Sequence, residues 1–353
     1  ALGLRMMFQP ESPFTVRPRL SLDLLRWGWE FYRAANADHV GRSAPLLRDM
    51  GLASRLEYEE LAEALGGFDL VQNGLLMLCK TEPVLREEAE VAEKAHALGI
   101  PAEVLSAEEV ARRDPSIRMD VSGAVYFPQD GHLTPPRLMA ALQRHLEASG
   151  VEFCWNIEVT GWRAAGERIE AIQTTQGEIS ADEVVVACGA WSAHVLRGLP
   201  LRLPMQSGKG YSVTLPAPRH LPTICSILTE ARVAVTPMGG SLRFAGTMEI
   251  TGLDRTIDRA RVNGIFKSIP RYFPEFHVED FQDLPVWSGL RPCSPDGLPY
   301  LGRFRRYANL SVAAGHAMVG VSLAPITGKL MAEILSGEPP SLPIAALNPD
   351  RYA

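Results

Sequence analysis

Cysteine is scarce in this chain of 353 residues, and the few present lie far apart. Cys79, Cys154, Cys188, Cys225 and Cys293 are odd in number, and no C-x-x-C occurs. That argues against a disulfide framework or a zinc site and fits a reducing compartment. A basic excess is also lacking: 35 Lys+Arg stand against 41 Asp+Glu, a formal charge of -6. That argues against a general nucleic-acid surface, though not against a small anionic ligand held by one buried arginine. No run of eighteen apolar residues exists, so no membrane-spanning helix is expected. The nearest stretch, Asn309 to Leu335, is interrupted by His316, Lys329, Glu333, Pro325 and its glycines. There is no G-x-G-x-x-G, no G-x-x-x-x-G-K-[ST], no H-E-x-x-H and no G-x-S-x-G. Hydrolases and kinases therefore lack their central parts here. The Gly208-Lys209-Gly210 triplet is not spaced as a phosphate loop. Neither a signal-peptide pattern nor an internal repeat is visible.

What is present is an ordinary globular composition, 46% hydrophobic and 22% charged, long enough for two domains. Residues 1–20 are rich in proline and arginine and are expected to be irregular. Ser21-Leu22-Asp23 caps a helix to about Ala35, and Ser43 to Leu65 continues helical. Val71–Cys79 suggests a hairpin of two short strands. Glu82–Leu98 is an amphipathic helix ended by Gly99, and Ser106 with Glu109 opens another through a capping box. Thr134 to Ser149 is a helix with Pro135 and Pro136 at its start, where proline is tolerated. Strands are then expected at Val151–Trp155, Gly166–Thr174 and Glu183–Cys188. The run VVVAC in the last of these is continuously apolar, as a strand buried on both faces should be. Residues 201–285 alternate short strands (Gly210–Leu215, Ala231–Pro237, Ser241–Met248) with turns and end in a helix, Ile257–Phe273. A final helix covers about Ala324–Leu335.

Three segments carry candidate chemistry. In 182–193 an apolar strand ends in Cys188-Gly189-Ala190-Trp191, where α/β sheets bind ligands beyond their strand ends; the alternative is an ordinary glycine turn. In 287–303, Arg291 stands alone between Leu290 and Pro292. A buried guanidinium needs an anion and can pair a carboxylate through two parallel hydrogen bonds; the alternative is a structural pair with Asp283 or Asp296. In 309–330 a strand runs into Gly315-His316 and a glycine-bearing helix start, whose amides favour partial negative charge. There the alternative is a packed helix start with a core histidine.

Taken together with PESPF (10–14), RPRLSLDLLRW (17–27), DGHLTPPRLMAAL (130–142), GKGYSV (208–213) and LRFAGTMEI (242–250), these segments resemble the flavin-dependent D-amino-acid oxidase superfamily. Within it the likeness is to bacterial D-amino acid dehydrogenases of the small-subunit type, with glycine oxidase a near relative. The resemblance spans essentially the whole chain. It implies an α/β fold: an FAD-binding Rossmann-like domain (1–65, 130–199 and 286–353) with an inserted antiparallel α+β substrate domain (66–129 and 200–285). The family's first strand–helix–strand unit, which carries the dinucleotide fingerprint, is not in this sequence. The expectation is that roughly fifty residues precede Ala1.

By position, the resemblance makes Arg291 the clamp for the substrate carboxylate. Gly315, His316, Met318, Val319, Gly320 and Val321 would line the isoalloxazine. Val159 would meet the adenine through its backbone, and Ala187, Cys188, Gly189 and Trp191 would flank the cofactor. The oxidases add a tyrosine where this chain has Arg232-Val233-Ala234-Val235, a departure that favours the dehydrogenase branch. The implied reaction is hydride transfer from Cα to flavin N5, giving a 2-oxo acid and ammonia, with electrons passed to a quinone or other acceptor. Alternatives are a glycine or sarcosine oxidase-like activity, D-hydroxyproline oxidation, or a non-catalytic fragment needing a partner nucleotide-binding unit. The expected location is cytoplasmic. Peripheral contact with the inner membrane through the aromatic helix at Leu24–Tyr32 is the alternative to those aromatics packing internally.

Overall fold

The computed structural model describes residues 14–17, 19 and 21–353; the irregular stretch expected for 1–20 lies largely outside them. Strand β1 (Phe14–Val16) is followed by α1 (Leu22–Ala34), whose Ser21 cap accepts from the Leu24 amide. Helix α2 (Ala37–Leu65) starts earlier than Ser43 because Asn36 caps it, accepting from the His39 amide. Then come β2 (Leu75–Cys79), α3 (Glu82–Ala97), β3 (Glu103–Ser106) and α4 (Ala107–Arg113), the last opened by the full Ser106–Glu109 capping box. Strand β4 (Gly123–Phe127) leads to α5 (Pro135–Ala148). Strands β5 (Val159–Ala165), β6 (Arg168–Thr174), β7 (Gly177–Ile179) and β8 (Val184–Val186) precede the short α6 (Ser192–Val195). Four longer strands follow: β9 (Gln206–Pro216), β10 (Cys225–Leu228), β11 (Val233–Met238) and β12 (Ser241–Ile250). The chain ends with α7 (Arg259–Tyr272), β13 (Val286–Cys293), β14 (Tyr300–Arg303), β15 (Leu310–Ala314) and α8 (Gly320–Ser336).

The fold is α/β around one large mixed sheet, ordered β13-β9-β12-β11-β10-β2-β4-β3, with β1 beside β12. It is antiparallel except where β1 joins β12 and where β10 joins β2. Burial alternates along β11 and the first half of β12, up to a register shift between Gly246 and Glu249. Leu242 and Phe244 point to one face, where Val262, Ile265, Phe266 and Ile269 of α7 close a core with Phe276 and Phe281. Strand β13 is hydrogen-bonded to β9 along its whole length, so residues 286–293 run within this sheet although the sequence expectation ended that segment at 285. Two smaller sheets stand apart: β14-β15-β8, with β15 and β8 parallel, and the antiparallel β5-β6-β7.

Several expectations are corrected. Val71–Cys79 is no hairpin: only Leu75–Cys79 is a strand, and Val71 makes a lone bridge to His132. Gly74 turns between them at φ 80 under the Tyr126 ring, where a Cβ would lie 2.3 Å from Cε2. Val151–Trp155 forms no strand; Asn156 takes φ 59, and the Phe153 and Trp155 rings stack on each other at 5.2 Å. Val184 and Val186 are buried, but Val185 is 36% exposed, so the described residues cover only one face of β8. In α1 only Trp27 is buried; Trp29, Phe31 and Tyr32 are exposed among the described residues, contrary to internal packing.

The last helix, expected at about Ala324–Leu335, begins earlier, at Gly320, and so places Pro325 inside α8. A proline there frees the carbonyl four residues earlier, which is that of Val321, and the Tyr58 hydroxyl of α2 donates to it at 2.5 Å. Ser54 Oγ donates to the neighbouring Ser322 carbonyl at 2.6 Å. The stretch Ala317–Ser336 is long and apolar enough by composition to cross a membrane. Its Leu323, Ile326 and Leu330 instead pack against Leu46 and Met50 of α2.

Candidate functional site

The parallel pair β8 and β15 ends at one edge, and both carboxyl ends open into glycine turns. After β8, Ala187 and Cys188 lead to Gly189 at φ 54 and the turn Gly189–Trp191. Following β15, Gly315 takes φ 82 directly over Tyr300, where a Cβ would sit 2.8 Å from the ring; only glycine fits. Ala317 is held at φ 47. A left-handed alanine costs about 1–2 kcal/mol, and such strain persists where the surroundings impose it, often at a ligand site. The turn leaves Met318 71%, Val319 40% and Val321 48% exposed, a cluster of apolar side chains beyond the strand ends. Trp191 is exposed nearby. Helix α8 starts at Gly320 without a side-chain cap, so its first amides point outward with partial positive charge.

His316 is half-buried, with Nε2 3.0 Å from Thr327 Oγ1. Burial lowers its pKa to about 4, so the ring is neutral near neutral pH. Burial likewise raises the Cys188 thiol above the ordinary cysteine value, which leaves it a poor nucleophile.

Arg291 comes to the same place from the large sheet. Strand β13 packs against the Gly189–Trp191 and Ala317–Val319 turns, and Cys293 bridges to His316. The Arg291 side chain crosses Gly210 of β9, where any Cβ would collide with the guanidinium. Its Nη1 donates to the Thr247 carbonyl at 2.9 Å. No carboxylate lies within ion-pair reach among the described residues. The alternative partner Asp296 is taken by Arg351, at 2.7 Å and 3.0 Å. Burial holds the Arg291 pKa below its usual value, with the nearby Arg243 lowering it further.

The structure thus gathers Arg291, Ala187 to Trp191 and Gly315 to Val321. Val159 lies elsewhere, at the start of β5 in the small antiparallel sheet. Helix α6 packs on both that strand and the Gly189–Trp191 turn and so connects the two.

Beside the site is a cavity of about 480 Å³ between α2, the 129–133 loop, β11, β12 and the start of α8. Tyr58, His132, Thr236 and Arg243 line it, and His132 Nδ1 is buried without a partner among the described residues. Sequence reasoning gave none of these a role. For Arg243 a signal existed: a lone charge between the core residues Leu242 and Phe244 must face the opposite side of the sheet.

Residues 23–334 match the FAD dependent oxidoreductase (DAO) family. The D-amino acid dehydrogenase of Granulibacter bethesdensis is 30% identical over 360 residues, covering 99% of this chain and 84% of that protein. That of Bradyrhizobium diazoefficiens is 30% identical over 374 residues, with the same coverage. Among solved structures, glycine oxidase from Geobacillus kaustophilus is similar at TM-score 0.80 and 29% identity, covering 87% of this chain and 84% of its own. L-proline dehydrogenase from P. horikoshii, at TM-score 0.75 and 22% identity over 86% of this chain and 82% of its own, shares the fold. The residues present fit the ring end of the family's cofactor: two turns with left-handed glycines, an exposed apolar cluster and an uncapped helix start meet at the strand ends. The chain belongs to the DAO family and is an FAD-dependent amine or amino-acid oxidoreductase.

Proposed function

We propose that this protein oxidises D-amino acids to 2-oxo acids and ammonia, with FAD as cofactor and a quinone or another acceptor taking the electrons. The observation that carries this reading is Arg291, a half-buried guanidinium on the strand that packs against the Gly189–Trp191 and Ala317–Val319 turns, with no acid of its own among the described residues. A planar guanidinium accepts a carboxylate through two parallel hydrogen bonds. The Thr247 carbonyl fixes Nη1, so the group is oriented before substrate arrives. A substrate α-carboxylate held there presents Cα to the Gly315–Val321 turn in one orientation, and that positioning is the protein's main contribution. FAD, when bound, supplies the two-electron acceptor for the Cα–H bond.

Gly315, His316, Met318, Val319, Gly320 and Val321 would line its ring, Ala187, Cys188, Gly189 and Trp191 would flank it, and the Val159 backbone would meet the adenine. We assign His316 no proton transfer, because its ring is neutral and engaged by Thr327. The amine must be unprotonated to react, and no side chain is needed as a base. We divide the chain along its sheets, with residues 66–129 and 200–285 plus strand β13 facing the substrate. The two D-amino acid dehydrogenase relatives support the D-amino acid over a glycine, sarcosine or D-hydroxyproline substrate. The exposed aromatics of α1 keep peripheral membrane contact open as part of the proposal.

The test is to incubate the protein with FAD, desalt it and record the visible spectrum anaerobically against D-alanine, L-alanine, glycine, sarcosine and D-proline. Bleaching by D-alanine with formation of pyruvate is expected. Bleaching by glycine or sarcosine alone would replace this reading with an oxidase-like one.

A further inference from the structure

Three arginines border the cavity between α2 and the large sheet. Two have acids: Arg48 pairs with Asp49 at 2.7 Å, and Arg55 with Glu59 at 3.3 Å. The third, Arg243, has no acidic partner among the described residues. It emerges from β12 opposite Thr214 and Thr236, on the face away from Leu242 and Phe244. Its guanidinium stands 5.5 Å from the Trp287 ring centroid, which orients it without neutralising it. Burial lowers its pKa, and it lies near enough to Arg291 to lower that one too.

Two partly desolvated cations on one sheet face, with no acid for either among the described residues, are unfavourable unless a ligand brings the anions. One substrate carboxylate neutralises only Arg291. The cavity's own acid, Asp130, is a weak counter-charge, since desolvation raises its pKa. The same wall carries His132, whose Nδ1 is buried without a partner among the described residues, a further polar group for a ligand.

We propose that Arg243 is a specificity-determining residue that binds a second anionic group, so that the preferred substrate is an amino dicarboxylate: its α-carboxylate on Arg291 and its side-chain carboxylate on Arg243. This rests on the amino-acid oxidation proposed above.

Turnover and binding separate the two claims. In the FAD-loaded protein, kcat/KM for D-glutamate should exceed that for D-norvaline by about tenfold or more, the scale of one charge-assisted hydrogen bond. Arg243→Met should reduce that ratio by about tenfold or more, and Arg243→Lys should restore part of it. Without turnover, calorimetry should show glutarate binding more tightly than butyrate, with the difference lost in Arg243→Met. Equal kcat/KM for the two amino acids, or a ratio unmoved in Arg243→Met, would overturn the role of Arg243 while leaving amino-acid oxidation intact. If no amino acid reduced the flavin, the activity would fall, and a persistent glutarate preference would still support the paired arginines.

Discussion

His316 is a neutral imidazole placed where the turn after β15 meets β13, and its protonation is linked to folding. Burial lowers its pKa from 6.5 to about 4. The unfolded chain therefore binds more protons than the folded one between those values. Stability is full above 6.5 and is lost as pH falls toward 4, by at most about 3 kcal/mol from this group. His316→Gln should flatten the fall of the urea midpoint across that window; an unchanged slope would assign the acid sensitivity elsewhere. At this scale the sequence revealed half of what matters. Arg291 stood out because a lone charge in an apolar segment needs a partner. That its partner is not Asp296 could not be read, because Arg351, 55 residues away along the chain, had already taken that acid.

Among elements, the start of α8 shows how a helix tolerates a proline that sequence rules treat as a breaker. The Val321 carbonyl freed by Pro325 accepts from Tyr58, and Ser54 holds the next one. Tyr58→Phe removes only the donor and leaves a carbonyl with no intrahelical partner. It should lower stability by about 1–2 kcal/mol, read as a fall in Tm, and weaken FAD retention if Val321, in the first turn of α8, lines the flavin as proposed. An unchanged Tm would mean that water replaces the hydroxyl. Caps were legible for a local reason: Ser21, Ser106 with Glu109, and the Pro135-Pro136 start all act within one turn. Val151–Trp155 misled because its apolar residues satisfy one another, two stacked rings rather than a strand face.

Across the whole molecule, one ion pair ties the segment after β13 to the carboxyl-terminal end. Arg351 grips Asp296 with two hydrogen bonds, donates to the Leu298 carbonyl at 2.7 Å and lies 3.9 Å from the Tyr300 ring centroid. The two side chains are only 14% and 10% exposed. Asp296→Asn would strand a buried cation, so a loss of about 3 kcal/mol in urea unfolding is expected; a loss below the error of the measurement would mean that the pair is solvated. The strands β9, β11 and β12 were legible from short apolar stretches set between turns, whereas the parallel joins β1–β12 and β10–β2 were not, because long-range pairing leaves no local pattern. Substrate recognition across the two sheets rests on the proposed pairing of Arg291 with the substrate carboxylate. Its most direct test is the anaerobic rate of flavin bleaching against amino-acid concentration for the FAD-loaded protein and its Arg291→Met variant. The half-saturating concentration should rise about a hundredfold or more with the flavin bands retained; an unchanged half-saturation would contradict the account.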